Sequence, residues 1–308
     1  MAKKDLISAH DLSVQEINKL FALTDELKVD DEKFTVALEG KTLALIFQKP
    51  SNRTRVSFEV GMTQLGGHTI YLGPDDIKLG VREATKDVAG VLSRYVDGIV
   101  ARTFAHNDIL ELAKNSTVPV INGLSDLLHP CQAMADVYTI KEKLGRLEGV
   151  RVAFVGDGNN VLHSLLHCCS KVGIDLSIAT PKGYEPDKKI VKEAEDELKK
   201  SGGKLNFSND PKEAVKGSDV VYTDVWISMG QEKEYKKRVK AFKGFQVNKK
   251  LVSLAKKGCL IMHCLPAHRG QEITDEVLDS PNSIILDQAE NRMHVQKAIL
   301  LMLLGGIK

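Results

Sequence analysis

The sequence predicts an α/β protein of two domains, each a mainly parallel sheet flanked by helices, and three observations predict it. Short apolar runs alternate along the chain with stretches of helical spacing, the rhythm of parallel strands joined by crossover helices. That series starts twice, near residue 43 and again near residue 150, with no short internal repeat and no Gly/Ser-rich linker. At 308 residues the chain has room for two domains of ordinary size.

Taken in order, Leu12–Lys28 has helical spacing with Ser13 as its candidate cap. Leu43–Phe47 reads as a short buried strand, and beyond it Val56, Val60 and Leu65 are spaced for one helix face. Thr69–Leu72, Gly98–Ala101 and Val118–Ile121 are further strand candidates, and Pro130–Leu144 reads as one long helix ending at Gly145. The second series offers Val150–Val155, Leu176–Ala179, Lys204–Phe207, Val220–Val225, Cys259–Cys264 and Ser283–Leu286. Between them the lysine-rich segment 182–204 reads as a solvated helix with paired charges. Gln288–Leu304 is apolar enough for a docked helix. The expected domains are therefore 1–140 and 141–287.

Hydrophobic content of 43% and charged content of 27% describe a globular chain. A net charge of +2 gives no global field to attract nucleic acid or a membrane. No apolar run approaches the ~18 residues of a membrane span, and the N-terminus lacks the uninterrupted apolar core of a signal peptide. Five cysteines, an odd number, suggest reduced thiols. The expectation is a cytoplasmic protein with neither nucleic acid nor membrane as partner; an organelle protein after removal of its targeting peptide would read the same.

In open sheets of this kind ligands bind beyond the carboxyl ends of strands, and the unusual residues of this chain lie there. "KPSNRTRVSFEVG" (49–61) sets Arg53 and Arg55 two apart at a helix start, with Ser51 and Thr54 adding hydroxyls. Guanidinium forks beside free helix N–H groups suit a dianionic phosphate; a solvated helix start is the other reading of the same arginines. Arg102 ends the strand-like "DGIVAR". "LLHPCQAMAD" places His129 and Gln132 together at a loop-to-helix junction, able to polarise a carbonyl oxygen and to hold an amide, or simply to cap a helix.

"VGDGNNVLHS" (155–164) satisfies G-x-G, but Val161 stands where a dinucleotide fingerprint needs its third glycine. A turn presenting Asn159 and Asn160 remains. "DVWISMG" (224–230) puts Asp224 at a strand end, as an ammonium acceptor or a helix cap. "MHCLPAHRG" (262–270) puts Cys264 at another; His263, Cys264 and His268 lack the second ligand pair of a zinc site. Cys168–Cys169 is most simply core, and Arg292 in "AENRMH" completes the set. Together these describe a site for a doubly charged anion plus a zwitterionic or cationic second substrate.

With those residues assembled, the chain resembles the transcarbamoylase family, and "HCLP" at 263–266 its ornithine branch. "SNRTR" is similar to the family's Ser-Thr-Arg-Thr-Arg phosphate motif, "HPCQ" (129–132) to its second element and "DVWISMG" to its amino-acid loop. The resemblance implies a carbamoyl-phosphate domain and an ornithine domain, with the final helix (288–308) packing back on the first. It implies carbamoyl-phosphate ligands in Ser51, Asn52, Arg53, Thr54, Lys78, Arg102, His129, Gln132, Cys264, Leu265 and Arg292. It implies ornithine ligands in Asn160, Asp224, Ser228 and Met229, with Cys264, Arg102 and His129 catalytic. It further implies trimers whose sites borrow a loop from the neighbouring subunit, and needs neither cofactor nor metal. Two positions depart: Asn52 replaces a threonine of the motif, and Lys78 stands where relatives commonly carry Gln or His.

The expected reaction is carbamoyl transfer from carbamoyl phosphate to the δ-amine of ornithine, giving citrulline and phosphate in arginine biosynthesis, or the reverse of it in arginine degradation. Transcarbamoylases of aspartate, putrescine or acylated ornithine are the near alternatives; a nicotinamide oxidoreductase and a non-catalytic binding protein are the distant ones.

Overall fold

The computed structural model describes residues 4–228 and 230–305. The chain divides into two compact units, Met1–Tyr138 with Glu290–Lys308, and Thr139–Ala289.

The first unit is built on four parallel strands, β1 (Thr42–Phe47), β2 (His68–Leu72), β3 (Gly98–Arg102) and β4 (Val120–Leu124), in the order β2-β1-β3-β4. The central strands are mainly apolar and buried, as parallel strands are; β1 is buried from Leu43 on, β3 is buried throughout although it ends in Arg102, and β2 at the edge is half-exposed. β4 begins two residues later than the sequence reading, after Pro119, which has no N–H for the ladder. At its other end the register slips between Ala101 and Arg102, leaving Gly123 as the extra residue. A Cβ on Gly123 would sit 3.1 Å from Val100 and 3.2 Å from the Ala101 carbonyl, so any larger residue at the bulge would push its neighbours back by a few tenths of an ångström.

Ser13 caps helix Val14–Val29 reciprocally: its hydroxyl accepts from the Glu16 N–H, and Glu16 accepts from the Ser13 N–H at 2.9 Å. Helix Asn52–Gln64 follows β1, but the face foreseen for it is partly wrong. Val56 and Val60 are exposed (48% and 38%), and the buried stripe is Thr54, Phe58, Gly61, Met62 and Leu65.

The second unit carries five parallel strands, β5 (Arg151–Val155), β6 (Asp175–Ala179), β7 (Leu205–Ser208), β8 (Val220–Thr223) and β9 (Leu260–His263), in the order β7-β6-β5-β8-β9. Its core gathers Val155, Val221, Trp226, Phe242, Val247, Ile261 and Ile273. Cys168 and Cys169 are buried in helix Asn160–Val172. Helix Lys188–Ser201 wears exposed pairs such as Lys199–Asp196 (2.6 Å) and Lys200–Glu197 (3.2 Å).

Ser283–Leu286 does not form the strand expected of it. Ser283 makes one isolated bridge with Ile261, and helix Ile285–Leu304 begins at once. A four-residue apolar run does not distinguish a strand from a buried helical turn; here Leu286 points out, 73% exposed, while Ile285 is buried. Among the described residues no helix is long and apolar enough to cross a membrane.

Candidate active site

In the first sheet the chain winds outward from β1 to β2 on one side and through β3 to β4 on the other. The crevice beyond the carboxyl ends of β1 and β3 is therefore its topological switch point. Phe47 pairs with Arg102 there, so the residues after β1 and the last residue of β3 are neighbours. Ser51 caps helix Asn52–Gln64 by accepting from the Thr54 N–H at 3.3 Å, and no acidic residue occupies the first turn. An arginine-bearing helix start with no acid opposes the helix dipole, an arrangement that an anion reverses.

Thr54, Arg102, His129, Gln132 and Arg292 are all buried. Arg292 donates to Gln132 Oε1 and, at 3.3 Å, to Thr54 Oγ1. Gln132 Nε2 donates to the buried Asp136 at 2.7 Å, which fixes the amide with its oxygen toward Arg292. His129 is held well below the ordinary imidazole range, first by burial and then by the charges of Arg292, Arg102 and Arg53. Three guanidiniums thus act on one neutral imidazole, a strongly electropositive environment built from three separate parts of the chain. Burial pushes the neighbouring Cys131 thiol up to about 12, which removes it as a nucleophile.

Arg55 does not join this group. It pairs with Glu59 at 2.9 Å and lies 3.7 Å over the Tyr71 ring, so the arginine pair of the sequence splits into an inner Arg53 and an outer Arg55. Asn52 is exposed. Lys78 is exposed too, in the left-handed conformation (φ 42°) after the short helix Pro74–Ile77. Gln48 ties that loop down, donating to the Leu79 carbonyl at 3.4 Å and to Asp108 at 3.0 Å while accepting from the Phe104 N–H at 2.7 Å.

The switch point of the second sheet falls between β5 and β8. Gly158 lets the loop after β5 pass the backbone of Glu185 and Pro186; a Cβ would meet Glu185 at 2.4 Å. That close approach, rather than a dinucleotide, accounts for the second glycine of "GDG". Asn159 caps helix Asn160–Val172, its oxygen accepting from the N–H groups of Val161 (3.0 Å) and Leu162 (3.2 Å). Those N–H groups face an amide oxygen instead of a pyrophosphate. The Asn159 amide then donates to Asp224 Oδ2 at 2.7 Å, and the Cys264 thiol lies 3.0 Å from Asp224 Oδ1.

Asp224 is thereby aimed by one residue from each flanking strand end. Asn160, named from the sequence, is half-exposed at the first helical position. Ser228 donates its N–H to Gln231 at 3.1 Å. Met229 lies outside the described residues.

Asp224, His263 and Cys264 each place a ligand-capable atom within 4.8 Å of the others. The set does not fit a metal, because both His263 nitrogens are engaged. Nδ1 accepts from the Leu265 N–H (2.8 Å), which leaves Nε2 to donate to Glu272 (3.1 Å). The buried imidazole instead holds Leu265 in the left-handed conformation (φ 56°) beside Cys264. His268 is exposed, tied through its backbone to Glu272.

Asp136, Gln48 and Asn159 were absent from the residues singled out as ligands. Only Asn159 carries a local signal, as an Asn immediately before a helix.

The profile described as "Aspartate/ornithine carbamoyltransferase, carbamoyl-P binding domain" matches residues 4–142, and that of the "Asp/Orn binding domain" matches 148–303. The "Ornithine carbamoyltransferase" of Thermococcus kodakarensis is 54% identical over 100% of this chain and 98% of that protein. The "Ornithine carbamoyltransferase, anabolic" of Pyrococcus furiosus is 56% identical over the same shares. A solved Pyrococcus furiosus ornithine carbamoyltransferase superposes with a TM-score of 0.96 at 55% identity, covering 100% of this chain and 99% of that one. The Thermus thermophilus enzyme superposes at 0.87 with 46% identity, covering 97% and 98%.

Proposed function

The chain belongs to the aspartate/ornithine carbamoyltransferase family, and from that premise we infer that it transfers the carbamoyl group of carbamoyl phosphate to the δ-amine of L-ornithine, giving L-citrulline and phosphate. The observation that carries the phosphate half is the neutral, buried His129 under the charges of Arg53, Arg102 and Arg292. Arg53 and Ser51, at the start of helix Asn52–Gln64, receive the phosphate, and Arg102 and Arg292 add charge-assisted donors. His129 donates a neutral hydrogen bond to the carbonyl oxygen, with Arg102 and Thr54, as negative charge develops there. Gln132, its amide oriented by Asp136, offers an oxygen to the carbamoyl N–H₂.

On the amino-acid side Asp224, held by Asn159 and Cys264, accepts the α-ammonium group, with Asn160, Ser228 and Met229 completing the grip. Cys264 and Leu265 line the reacting centre. The neutral δ-amine attacks the carbonyl carbon, and the C–N bond forms as the carbonyl π pair moves onto oxygen. The tetrahedral adduct collapses by breaking the C–O bond, whose electron pair leaves with phosphate; the phosphate takes the amine proton. The leaving group is already activated, so the step needs no cofactor. Rate rises with pH as the δ-amine loses its proton.

In this reading the enzyme works in the cytoplasm as a trimer or an assembly of trimers, and the name "anabolic" borne by the Pyrococcus furiosus relative supports the citrulline-forming direction. Val56 and Val60 on helix Asn52–Gln64, with Ile70 on edge strand β2, are the exposed apolar side chains a subunit contact would cover. The exposed Lys78 is the residue such a contact would bring to a neighbour's phosphate.

Citrulline formation is the test, with ornithine, aspartate, putrescine and N-acetylornithine assayed in parallel. Turnover with ornithine alone is the expected result. Turnover with another amine in its place overturns the Asp224 assignment, and no turnover with any amine overturns the reading as a whole.

A further inference from the structure

His106, half-buried at the first position of helix His106–Asn115, takes no part in the ligand assignments above, yet it holds the turn that delivers His129. Residues 125–128 close on themselves: the Ser125 N–H donates to the Leu128 carbonyl at 2.9 Å, and the Leu128 N–H donates to Ser125 Oγ at 3.1 Å. His129 follows directly. His106 Nδ1 lies 2.8 Å from that same Ser125 Oγ, and either group can be the donor. The backbone joins in. Ala105 has no side chain to cap the helix, so the His106 N–H donates instead to Asp126 Oδ1 at 2.8 Å, and the Asp126 N–H donates to the Phe104 carbonyl at 3.0 Å. Three hydrogen bonds thus fix the turn before His129 to the start of one helix, and of these only the Nδ1 contact depends on the side chain of residue 106. Ser125, Leu128 and His129 are all buried, so a shift of the turn moves the imidazole with it.

We propose that His106 is a positioning residue for His129, holding Ser125 so that the turn 125–128 presents the imidazole to the carbonyl oxygen in one geometry. The proposal rests on the reading of His129 as the donor to that oxygen. His106 is not among the groups assigned to either substrate; it acts through the turn. The residues assigned to the amino-acid substrate are carried by other elements, so the penalty falls on the chemical step and spares the ornithine grip. A donor displaced by about 1 Å already loses much of its effect.

The test uses the full-length chain with His106→Ala and His106→Asn, assayed for citrulline formation with each substrate varied in turn. An asparagine amide donates or accepts where Nδ1 stood, whichever the pair requires. The expected result is a kcat lowered by about tenfold or more in H106A, with ornithine KM within about twofold. In H106N kcat returns to within about threefold of the unaltered chain. Ser125→Ala repeats the H106A pattern, and the double variant is no slower than S125A alone, because the bond between the two side chains is already gone.

A merely structural histidine gives a different pattern, with thermal stability reduced and kcat within about twofold of the unaltered chain. That pattern overturns the proposal. So does an H106N no faster than H106A, a loss that falls chiefly on ornithine KM, or a double variant slower than S125A by the full H106A factor. Should H106A fail to fold, S125A decides by the same split: a kcat lowered about fivefold or more with ornithine KM unchanged supports the positioning role, and an unchanged kcat refutes it. Absence of citrulline formation by the unaltered chain refutes the underlying assignment of the reaction instead.

Discussion

Replacing Arg292 by methionine separates the electrostatic account of the phosphate half from a packing account. Methionine is close in length and keeps the buried stem, while the charge and the donors to Gln132 Oε1 and Thr54 Oγ1 are lost. The contact to Thr54 is long at 3.3 Å and counts for little. Gln132 Oε1 loses a charged donor, a stability cost of about 1–3 kcal/mol. Part of this is offset because a buried cation disappears along with its desolvation penalty.

The larger effect is on the reaction. A preorganised donor at developing negative charge is worth about 2.7–4 kcal/mol, so kcat/KM for carbamoyl phosphate should fall about 10²–10³-fold. Arg292 is also the first of the three charges that depress His129, after burial itself. Its removal raises the imidazole toward its ordinary range. The protonated fraction at acidic pH then grows, and the acid limb of kcat/KM moves to higher pH. Steady-state citrulline formation across a pH series, beside thermal unfolding, checks both parts. A loss in kcat/KM under about tenfold, or a loss confined to ornithine KM, refutes the reasoning.

Asp224→Asn removes the anionic partner of Asn159 and Cys264; ornithine KM should rise about a hundredfold while carbamoyl phosphate KM stays put, as initial-rate kinetics will show. Cys264→Ser keeps a donor to Asp224 and should retain more activity than Cys264→Ala, whose ornithine KM should be the higher of the two. Burial raises Asp157 from 3.8 to about 6 against the opposing charge of Arg238, with Asp224 and Glu234 adding to the rise. Between those values the folded chain holds the proton that the unfolded chain has lost. The group's favourable contribution is therefore complete below pH 3.8 and is lost as pH rises through about 6. Asp157→Asn should flatten the stability profile across that window in denaturant titrations at several pH values. Lys78→Gly relieves a left-handed backbone at an exposed position and should change stability by no more than about 1 kcal/mol by chemical denaturation.

Local chemistry made a large part of this protein legible from its sequence. Parallel strands buried on both faces read as unbroken apolar runs, which is why β1, β3, β5, β6 and β8 were visible within a residue or two. Caps act over three residues, so Ser13 declared its helix. The residues bearing charge at strand ends stood out because an interior strand offers them no other place. The failures also have local causes. Val56 and Val60 fitted a helical spacing, but only packing decides which stripe of a helix faces inward, and here Phe58 and Met62 took it. The apolar run at 283–286 met two geometries equally well until the chain turned into a helix at Ile285.

What the sequence by itself determined is the alternation of strand and helix and the kinds of side chain available at the strand ends. Which strand ends become neighbours was decided only by the tertiary structure, because pairing β1 with β3 and β5 with β8 depends on hydrogen bonds between segments with no local imprint on one another. The same folding brought Arg292 to Thr54 across 238 residues, sent Arg55 outward to Glu59 while Arg53 stayed in, and gave the hold on Asp224 to Asn159. Distances of 3 Å between such groups are set by the register of whole sheets and the packing of whole helices. No window of sequence contains them.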